Sequence, residues 1–128
     1  MKTIIIMGST SDEPHAKKIT DKLDEYGITW EQHAASAHKQ PLKVLEILEV
    51  NKNEKNIVYI TIAGRSNALS GFVAANSESP TIGCPPFSDK SDMLVNIHST
   101  LQMPSQTPVL TDIDPGNCAL AVKRIFGV

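Results

Sequence analysis

Apolar positions along the chain alternate between two periods. Short runs of consecutive apolar residues are typical of strands buried on both faces of a parallel sheet. Each run is followed by a segment with apolar residues three or four positions apart, which is typical of a helix with one buried face. The strands predicted in this way lie at about 3–7, 29–34, 57–62, 81–84 and 108–111. The predicted helices lie at about 13–26, 41–50, 71–76, 89–101 and 116–126.

Residues at the segment ends support this assignment. Gly27 follows the first predicted helix, at the position where a glycine commonly ends one. Pro41 opens the second helix, where proline is tolerated because the first turn has unpaired N–H groups in any case. Strand–helix units in series predict a three-layer α/β sandwich. Its centre would be a doubly wound parallel sheet of about five strands, flavodoxin-like or Rossmann-like, joined by right-handed crossovers.

Composition narrows the class of protein. The chain has 128 residues, 41% of them apolar, which predicts one domain over residues 1–128 with its own core. Acids and bases are interspersed and the net charge is −2, so neither nucleic acid nor a membrane is expected as a partner. The first apolar run is too short for a signal peptide or a membrane span. The two cysteines match no metal-ligand spacing, so we expect a cytoplasmic protein with reduced thiols and no metal.

The loop after the first predicted strand has the composition of an anion site. In parallel α/β sheets ligands bind at the carboxyl ends of the strands, near a switch in strand order. Gly8 to Asp12 directly precedes a helix, so free N–H groups and the hydroxyls of Ser9 and Ser11 are available to a phosphate. Asp12 would repel phosphate but can accept a hydrogen bond from a ribose hydroxyl. The alternative is that Ser11 or Asp12 is only a helix N-cap.

The loop after the second predicted strand contains the candidate base. Ser36, His38 and Lys39 lie within four residues at a strand end. A neutral imidazole can accept a proton, and Lys39 can bind an anionic group of a substrate. The remaining histidines are expected to be structural or merely exposed: His15, His33 and His98.

The loop after the central strand is rich in small and polar residues. Gly64 allows close approach of the backbone to a ligand, and Arg65 offers a planar fork for phosphate or carboxylate. Ser66 and Asn67 supply further donors, although a polar turn with a helix cap would explain either one alone. Cys84, after the fourth strand, is a poor candidate nucleophile because no histidine lies near it in the sequence.

Taken in order, these segments resemble one family, the PurE-type 5-aminoimidazole ribonucleotide (AIR) carboxylases and the related N5-carboxyaminoimidazole ribonucleotide mutases. The matching segments are Met7 to Asp12, Ser36 to Lys39, Gln102 to Pro104 and Asn117 to Phe126. The mutase class typically has a histidine directly before the leucine of the central loop, where this chain has Ala68. The loop from Ala63 to Asn67, together with Lys39 and Cys84-Pro85-Pro86, resembles instead class II, which carboxylates AIR directly with CO2. That class usually has glycine where Ala68 stands.

The resemblance implies a carboxy-lyase of purine (IMP) biosynthesis that uses neither metal nor biotin, so no cofactor is expected. An electron-rich ring carbon of AIR would attack CO2, and His38 would then remove the hydrogen from that carbon. The resemblance places six residues around the substrate: Ser9, Asp12, Ser36, Lys39, Gly64 and Ser66. Ser11, Arg65 and Asn67 are secondary candidates. Family members form octamers, which implies a homo-oligomer, although many relatives continue beyond the position of Val128 with a further helix.

Two alternatives remain open at this point. The first is the mutase, which moves a carboxylate from the amine nitrogen to the ring carbon in the same pocket. The second is a flavodoxin-like module that binds FMN or another phosphate ligand without catalysis. The second alternative leaves the adjacent His38 and Lys39 unexplained.

Overall fold

The computed structural model describes residues 1–128 and has strands and helices alternating along the whole chain. The strands are β1 Lys2–Met7, β2 Thr29–Ala34, β3 Ile57–Ile62, β4 Thr81–Gly83 and β5 Leu110–Thr111. The α-helices are α1 Glu13–Glu25, α2 Pro41–Asn51, α3 Leu69–Ala75, α4 Lys90–Leu101 and α5 Pro115–Phe126. A short 3-10 helix, Thr10–Asp12, leads into α1. None of the helices combines the length and the apolar character needed to cross a membrane.

The five strands form one parallel sheet in the order β2-β1-β3-β4-β5. This is the flavodoxin-like order, in which the chain first moves to one side of β1 and then returns to the other side. The switch in strand order therefore lies between β1 and β3. The doubly wound parallel sheet predicted from the sequence is confirmed.

Hydrophobic residues on the two faces of the sheet form separate cores. Along β1, Ile5 and Met7 pack with residues of α1 and α5, whereas Ile4 and Ile6 pack with residues of α2 and α3. Successive side chains of a strand point to opposite faces, so a continuous apolar run can supply both cores. All six residues of β3 are buried, as expected for a strand covered on both sides.

Two predicted boundaries are wrong by two residues, and the others differ from the structure by at most one. Helix α3 begins at Leu69 rather than at position 71, because the side chain of Asn67 accepts a hydrogen bond from the N–H of Ser70, a first-turn donor with no partner inside the helix. Strand β5 begins at Leu110 rather than at position 108. The register of β4 with β5 would place Pro108 opposite Pro80. Since neither proline has an N–H group, the ladder cannot extend to that pair.

Candidate functional site

Loops that follow β1, β2 and β3 surround a cavity of about 330 Å³ at the carboxyl edge of the sheet. The cavity lies at the switch in strand order, because β1 is placed between β2 and β3. All seven principal residues predicted from the sequence line it: Ser9, Asp12, Ser36, His38, Lys39, Gly64 and Ser66. Arg65 also lines the cavity, whereas Ser11 and Asn67 do not.

The first loop contributes the Ser9 hydroxyl and the Asp12 carboxylate to the cavity, and only Ser9 caps a helix. The Ser9 side chain accepts a hydrogen bond from the Ser11 N–H at 3.2 Å and so caps the 3-10 helix. The Ser9 and Ser11 hydroxyls are 2.9 Å apart. Asp12 occupies the N-cap position of α1 but makes no capping hydrogen bond. The carboxylate of Asp12 is therefore free to meet a ligand, and the N-cap alternative does not account for it.

The environment of Asp12 favours its protonated form more than water does. Partial burial raises the pKa of Asp12, while the nearby His15 and the backbone of Ser9 oppose that rise. A hydrogen bond from a ligand hydroxyl would compensate this partly buried carboxylate for the hydrogen bonds to water that it has lost.

The second loop is a tight turn with His38 near its tip. The Ser36 side chain accepts a hydrogen bond from the Lys39 N–H at 3.1 Å, and the Ser36 carbonyl accepts one from the Gln40 N–H at 2.7 Å. Both ends of the turn are thereby tied together. His38 and Lys39 are exposed, so both side chains are accessible to a molecule in the cavity.

The third loop lines the cavity with its backbone and small side chains. Ala63 and Gly64 follow β3, and a Cβ placed on Gly64 would have no heavy atom within 4 Å, so the space beside it is open. Arg65 is mostly exposed and lies 3.7 Å from Asp92 of α4. Since this contact is long and solvated, the guanidinium remains available to an anion.

Asn67 has a different environment from its neighbours in the third loop. It is 5% exposed and its side chain donates hydrogen bonds to Ser70 and Thr100 rather than entering the cavity. The candidate donor to substrate is thus a buried structural amide. The sequence contains one signal of this role, since Asn67 precedes Ser70 by three positions, the usual spacing of a side-chain N-cap. The partners on α4 have no such signal, because they are more than 30 positions away.

Contrary to expectation, a histidine does lie beside Cys84. The ring nitrogen Nε2 of His15 donates to the Cys84 carbonyl at 3.0 Å and lies 3.5 Å from its Sγ. The pKa of the Cys84 thiol is lowered chiefly by a hydrogen bond with Cys118 and to a smaller extent by His15, while burial opposes both effects. The same coupling raises the pKa of Cys118. Both thiols are fully buried and neither lines the cavity, so this cluster joins α1 to the end of β4.

A larger depression, of about 1000 Å³, lies at the opposite edge of the sheet. Its walls come from the segments before β3 and β4 and from the end of α5. The amino ends of parallel strands are not where ligands of such sheets bind. The smaller cavity at the carboxyl edge, which is lined by all seven principal predicted residues, is therefore the candidate active site.

The chemical character of this cavity suits a small anionic substrate with hydroxyl groups. Its lining includes two cationic side chains, Lys39 and Arg65, one carboxylate, Asp12, and the imidazole of His38. Backbone and hydroxyl donors from the three loops surround the remaining space. Such a site can bind a phosphate or carboxylate, orient a polar molecule and move a proton.

Comparison with known proteins gives consistent results. The family model described as AIRC, AIR carboxylase, matches residues 2–128. The chain is 48% identical over 128 residues to a phosphoribosylaminoimidazole carboxylase of Archaeoglobus fulgidus, covering 100% of this chain and 70% of that protein. It is 45% identical over 126 residues to the protein of the same name from Treponema denticola, covering 98% and 79% respectively.

The fold comparison agrees. The crystal structure of Treponema denticola PurE superposes with a TM-score of 0.91 at 43% sequence identity, covering 98% of this chain and 80% of that chain. The family model extends over nearly the whole chain, and the matching structure has the same fold. This chain therefore belongs to the AIR carboxylase family.

Proposed function

We propose that this protein carboxylates 5-aminoimidazole ribonucleotide with CO2, giving 4-carboxy-5-aminoimidazole ribonucleotide in purine biosynthesis. The observation that supports this most directly is the cavity at the strand switch. There the family's histidine, lysine and small-residue loops lie together in a chain of the AIR carboxylase family. We also propose that residues 1–128 form a single AIR carboxylase domain.

The reaction begins with formation of a carbon–carbon bond. The ring carbon beside the exocyclic amine of AIR is electron-rich, and its electron pair attacks the carbon of CO2. One C=O bond of CO2 opens, and the new carboxylate takes the negative charge. Lys39, the Ser66 hydroxyl and the backbone at Gly64 are the groups we assign to that charge, because all three line the cavity.

Proton removal completes the reaction. The attacked ring carbon now bears both a hydrogen and the carboxylate, so the ring has lost its aromaticity. We assign His38 as the base that removes this hydrogen; the electron pair of the C–H bond returns to the ring and the proton passes to the imidazole. A positioned base of this kind typically contributes about 10²- to 10⁴-fold in rate.

The remaining cavity residues are assigned to substrate binding. Ser9 and the N–H groups at the start of the 3-10 helix suit the phosphate, with Ser11 as an outer donor. Asp12 suits a ribose hydroxyl or the amine, and Ser36 the part of the substrate next to the His38 turn.

The mutase alternative is not favoured. Ala68 occupies the position where the mutase loop has its histidine, and an alanine can neither accept nor donate a proton. The two curated relatives that are 48% and 45% identical are named carboxylases.

We further propose that the protein is a cytoplasmic homo-oligomer, an octamer by analogy with the family. Helix α4 supports an assembly because it has polar residues on its buried side and apolar residues on its exposed side. It buries Asn96 and Thr100 while leaving Leu94, Val95 and Leu101 at least 60% exposed. An apolar outer face of this kind favours contact with another protein surface.

The test of the function is a carboxylation assay with purified protein. AIR and labelled bicarbonate are supplied in one reaction, and N5-carboxyaminoimidazole ribonucleotide in a parallel one. Acid-stable label formed from AIR, with little consumption of the N-carboxylated compound, is the expected result. Preference for the N-carboxylated compound would make the protein a mutase, and inactivity with both would contradict the proposal.

A further inference from the structure

A buried network of hydrogen bonds lies directly beneath the third loop of the cavity. From Ala63 to Leu69, Asn67 is the one residue that does not line the cavity. Its side chain is directed into the protein, where Nδ2 donates to the Ser70 hydroxyl at 2.8 Å and to the Thr100 hydroxyl at 2.9 Å. Its Oδ1 accepts from the Ser70 N–H at 3.0 Å. The amide of Asn67 is therefore bound through both of its ends.

The backbone of the loop is held at the same point. The Asn67 N–H donates to the Ser99 hydroxyl of α4 at 2.9 Å. Side chain and backbone of one residue are thus fixed to two consecutive residues of α4, Ser99 and Thr100. Ser66 and Ala68, the cavity-lining neighbours of Asn67, cannot shift without breaking these bonds.

The network continues to the centre of the sheet. The Ser70 hydroxyl is 2.6 Å from the Thr61 hydroxyl, and the Thr61 hydroxyl lies 3.5 Å from the Ile82 carbonyl. These contacts form a single directed chain, because Asn67 can only donate through Nδ2 and the Ile82 carbonyl can only accept. The loop is thereby connected to β3 and β4 as well as to α4.

Each of these polar side chains is buried, and burial makes the network rigid. Thr61, Asn67, Ser70 and Thr100 are all 5% exposed or less. A buried donor or acceptor that loses its partner is not rescued by water, so loosening any one bond has a large cost. Gly83 provides the room: a Cβ there would lie 3.1 Å from the Ser70 hydroxyl and 3.4 Å from a Thr100 methyl.

We infer that Asn67, Ser70 and Thr100 are positioning residues of the carboxylation site: they hold Gly64 and Ser66 where the developing carboxylate is stabilised. This inference rests on the proposed function. CO2 is small and nearly nonpolar, so the hydrogen-bond donors that contact it must be positioned before it binds. A displacement on the order of 1 Å can lower a rate about 100-fold.

Substitutions at Thr100 test the inference without altering the cavity. Thr100→Val removes the hydroxyl and keeps the shape, whereas Thr100→Ser keeps the hydroxyl and removes the methyl. The matched control is Thr81→Val, because Thr81 is equally buried and its hydroxyl has no partner. Steady-state kinetics would give kcat and separate KM values for AIR and for CO2. Hydrogen exchange would follow the amides of Asn67 and Ser70.

The expected result is a kcat for Thr100→Val that is lower by roughly tenfold, within the range expected for misplaced groups. Its KM for CO2 rises, its KM for AIR is unchanged, and exchange at Asn67 and Ser70 accelerates. Thr100→Ser keeps nearly the kcat of the unmodified protein even if its melting temperature falls. Thr81→Val matches the unmodified protein in all four measurements.

Two results would overturn the inference. One is unchanged kinetics in Thr100→Val; the other is a loss in Thr100→Ser as large as in Thr100→Val, which would assign the effect to packing of the methyl. Failure of the proposed function is distinguishable, because the unmodified protein would then not carboxylate AIR. In that case slow exchange at Asn67 in Thr100→Val would still overturn the anchoring of the loop.

Discussion

His38 is the residue on which the proposed chemistry depends most. It lies in a turn that Ser36 closes by accepting hydrogen bonds from the N–H groups of Lys39 and Gln40. The exposed ring of His38 is therefore attached to a backbone that is fixed by hydrogen bonds. A base on such a turn can reach a substrate carbon without disturbing the core. The turn therefore separates catalysis from stability at this position.

We predict that His38→Asn strongly lowers turnover while the fold and most of the AIR affinity remain. Asparagine keeps a polar side chain of similar length but cannot accept the proton from the ring carbon of AIR, so kcat should fall by about 10²- to 10⁴-fold. Calorimetry with AIR and a thermal melt would measure binding and stability beside the assay. Turnover close to that of the unmodified protein would rule out His38 as the base.

Asp12 illustrates a conflict between ligand binding and stability. Because burial raises the pKa of Asp12, the ionised carboxylate disfavours the folded state. Stability is then lost as the pH rises from the unfolded pKa, at about 4, through the higher folded pKa. At neutral pH, where Asp12 is ionised, the folded state is destabilised by the full amount.

We predict that Asp12→Asn raises the melting temperature at pH 7 and weakens AIR binding. The gain in melting temperature should shrink below about pH 4, where Asp12 is protonated in both states. Glu13→Gln, which removes an exposed carboxylate at the next position, is the control and should give no gain. A gain that is independent of pH would contradict this account.

At the scale of elements, two glycines lie where neighbouring segments pack closely around α3 and β4. In β4, a Cβ on Gly83 would meet buried atoms of Ser70 and Thr100, which are held by hydrogen bonds. In α3, a Cβ on Gly71 would lie 2.9 Å from Sδ of Met103, a flexible side chain that can move. The contact at Gly71 is the closer of the two, since the nearest atom to a Cβ on Gly83 is the Ser70 hydroxyl at 3.1 Å, but the two positions differ in which neighbour must move.

We predict opposite tolerance of alanine at these glycines. Gly83→Ala should lower the free energy of unfolding by about 1–3 kcal/mol, as overpacking does in a core. Gly71→Ala should stay within about 1 kcal/mol of the unmodified protein, because the gain in helix propensity offsets the shift of Met103. Urea denaturation of both variants measures the difference. Equal losses would show that Met103 is as rigid as the buried network.

At the scale of the whole molecule, α4 connects two surfaces. Its inner side holds the third loop through Ser99 and Thr100, and its outer side exposes Leu94, Val95 and Leu101. A protein surface that packs on the outer side would also fix the helix that positions the loop.

We predict that Leu94→Lys reduces the assembly to smaller species, because a charge in an apolar interface loses its water without gaining a partner. Val50→Lys is the control, because Val50 is a 74% exposed apolar residue on a different helix, near the end of α2. Sedimentation velocity would measure both variants and the unmodified protein. A monomeric unmodified protein would contradict the proposed homo-oligomer.

The sequence was sufficient for the elements and for the general location of the site. Strand and helix periods depend on neighbours within a few residues, so they can be found locally, as for β2 and β3, whose bounds were predicted correctly. Consecutive strand–helix units also place every post-strand loop at one edge of the sheet. The histidine, lysine and small-residue loops could therefore be assigned to one site before their distances were known.

Only the tertiary structure decided which residues of those loops face the cavity. Ser11 and Asn67 are small polar residues like Ser9 and Ser66, yet the first pair does not line the cavity and the second does. The contacts between Asn67 and Thr100 and between His15 and Cys84 join residues 33 and 69 positions apart. Such contacts depend on the order of the strands and on how α1 and α4 pack on the sheet. Local pattern contains no information about either, because many packings bury the same apolar positions equally well.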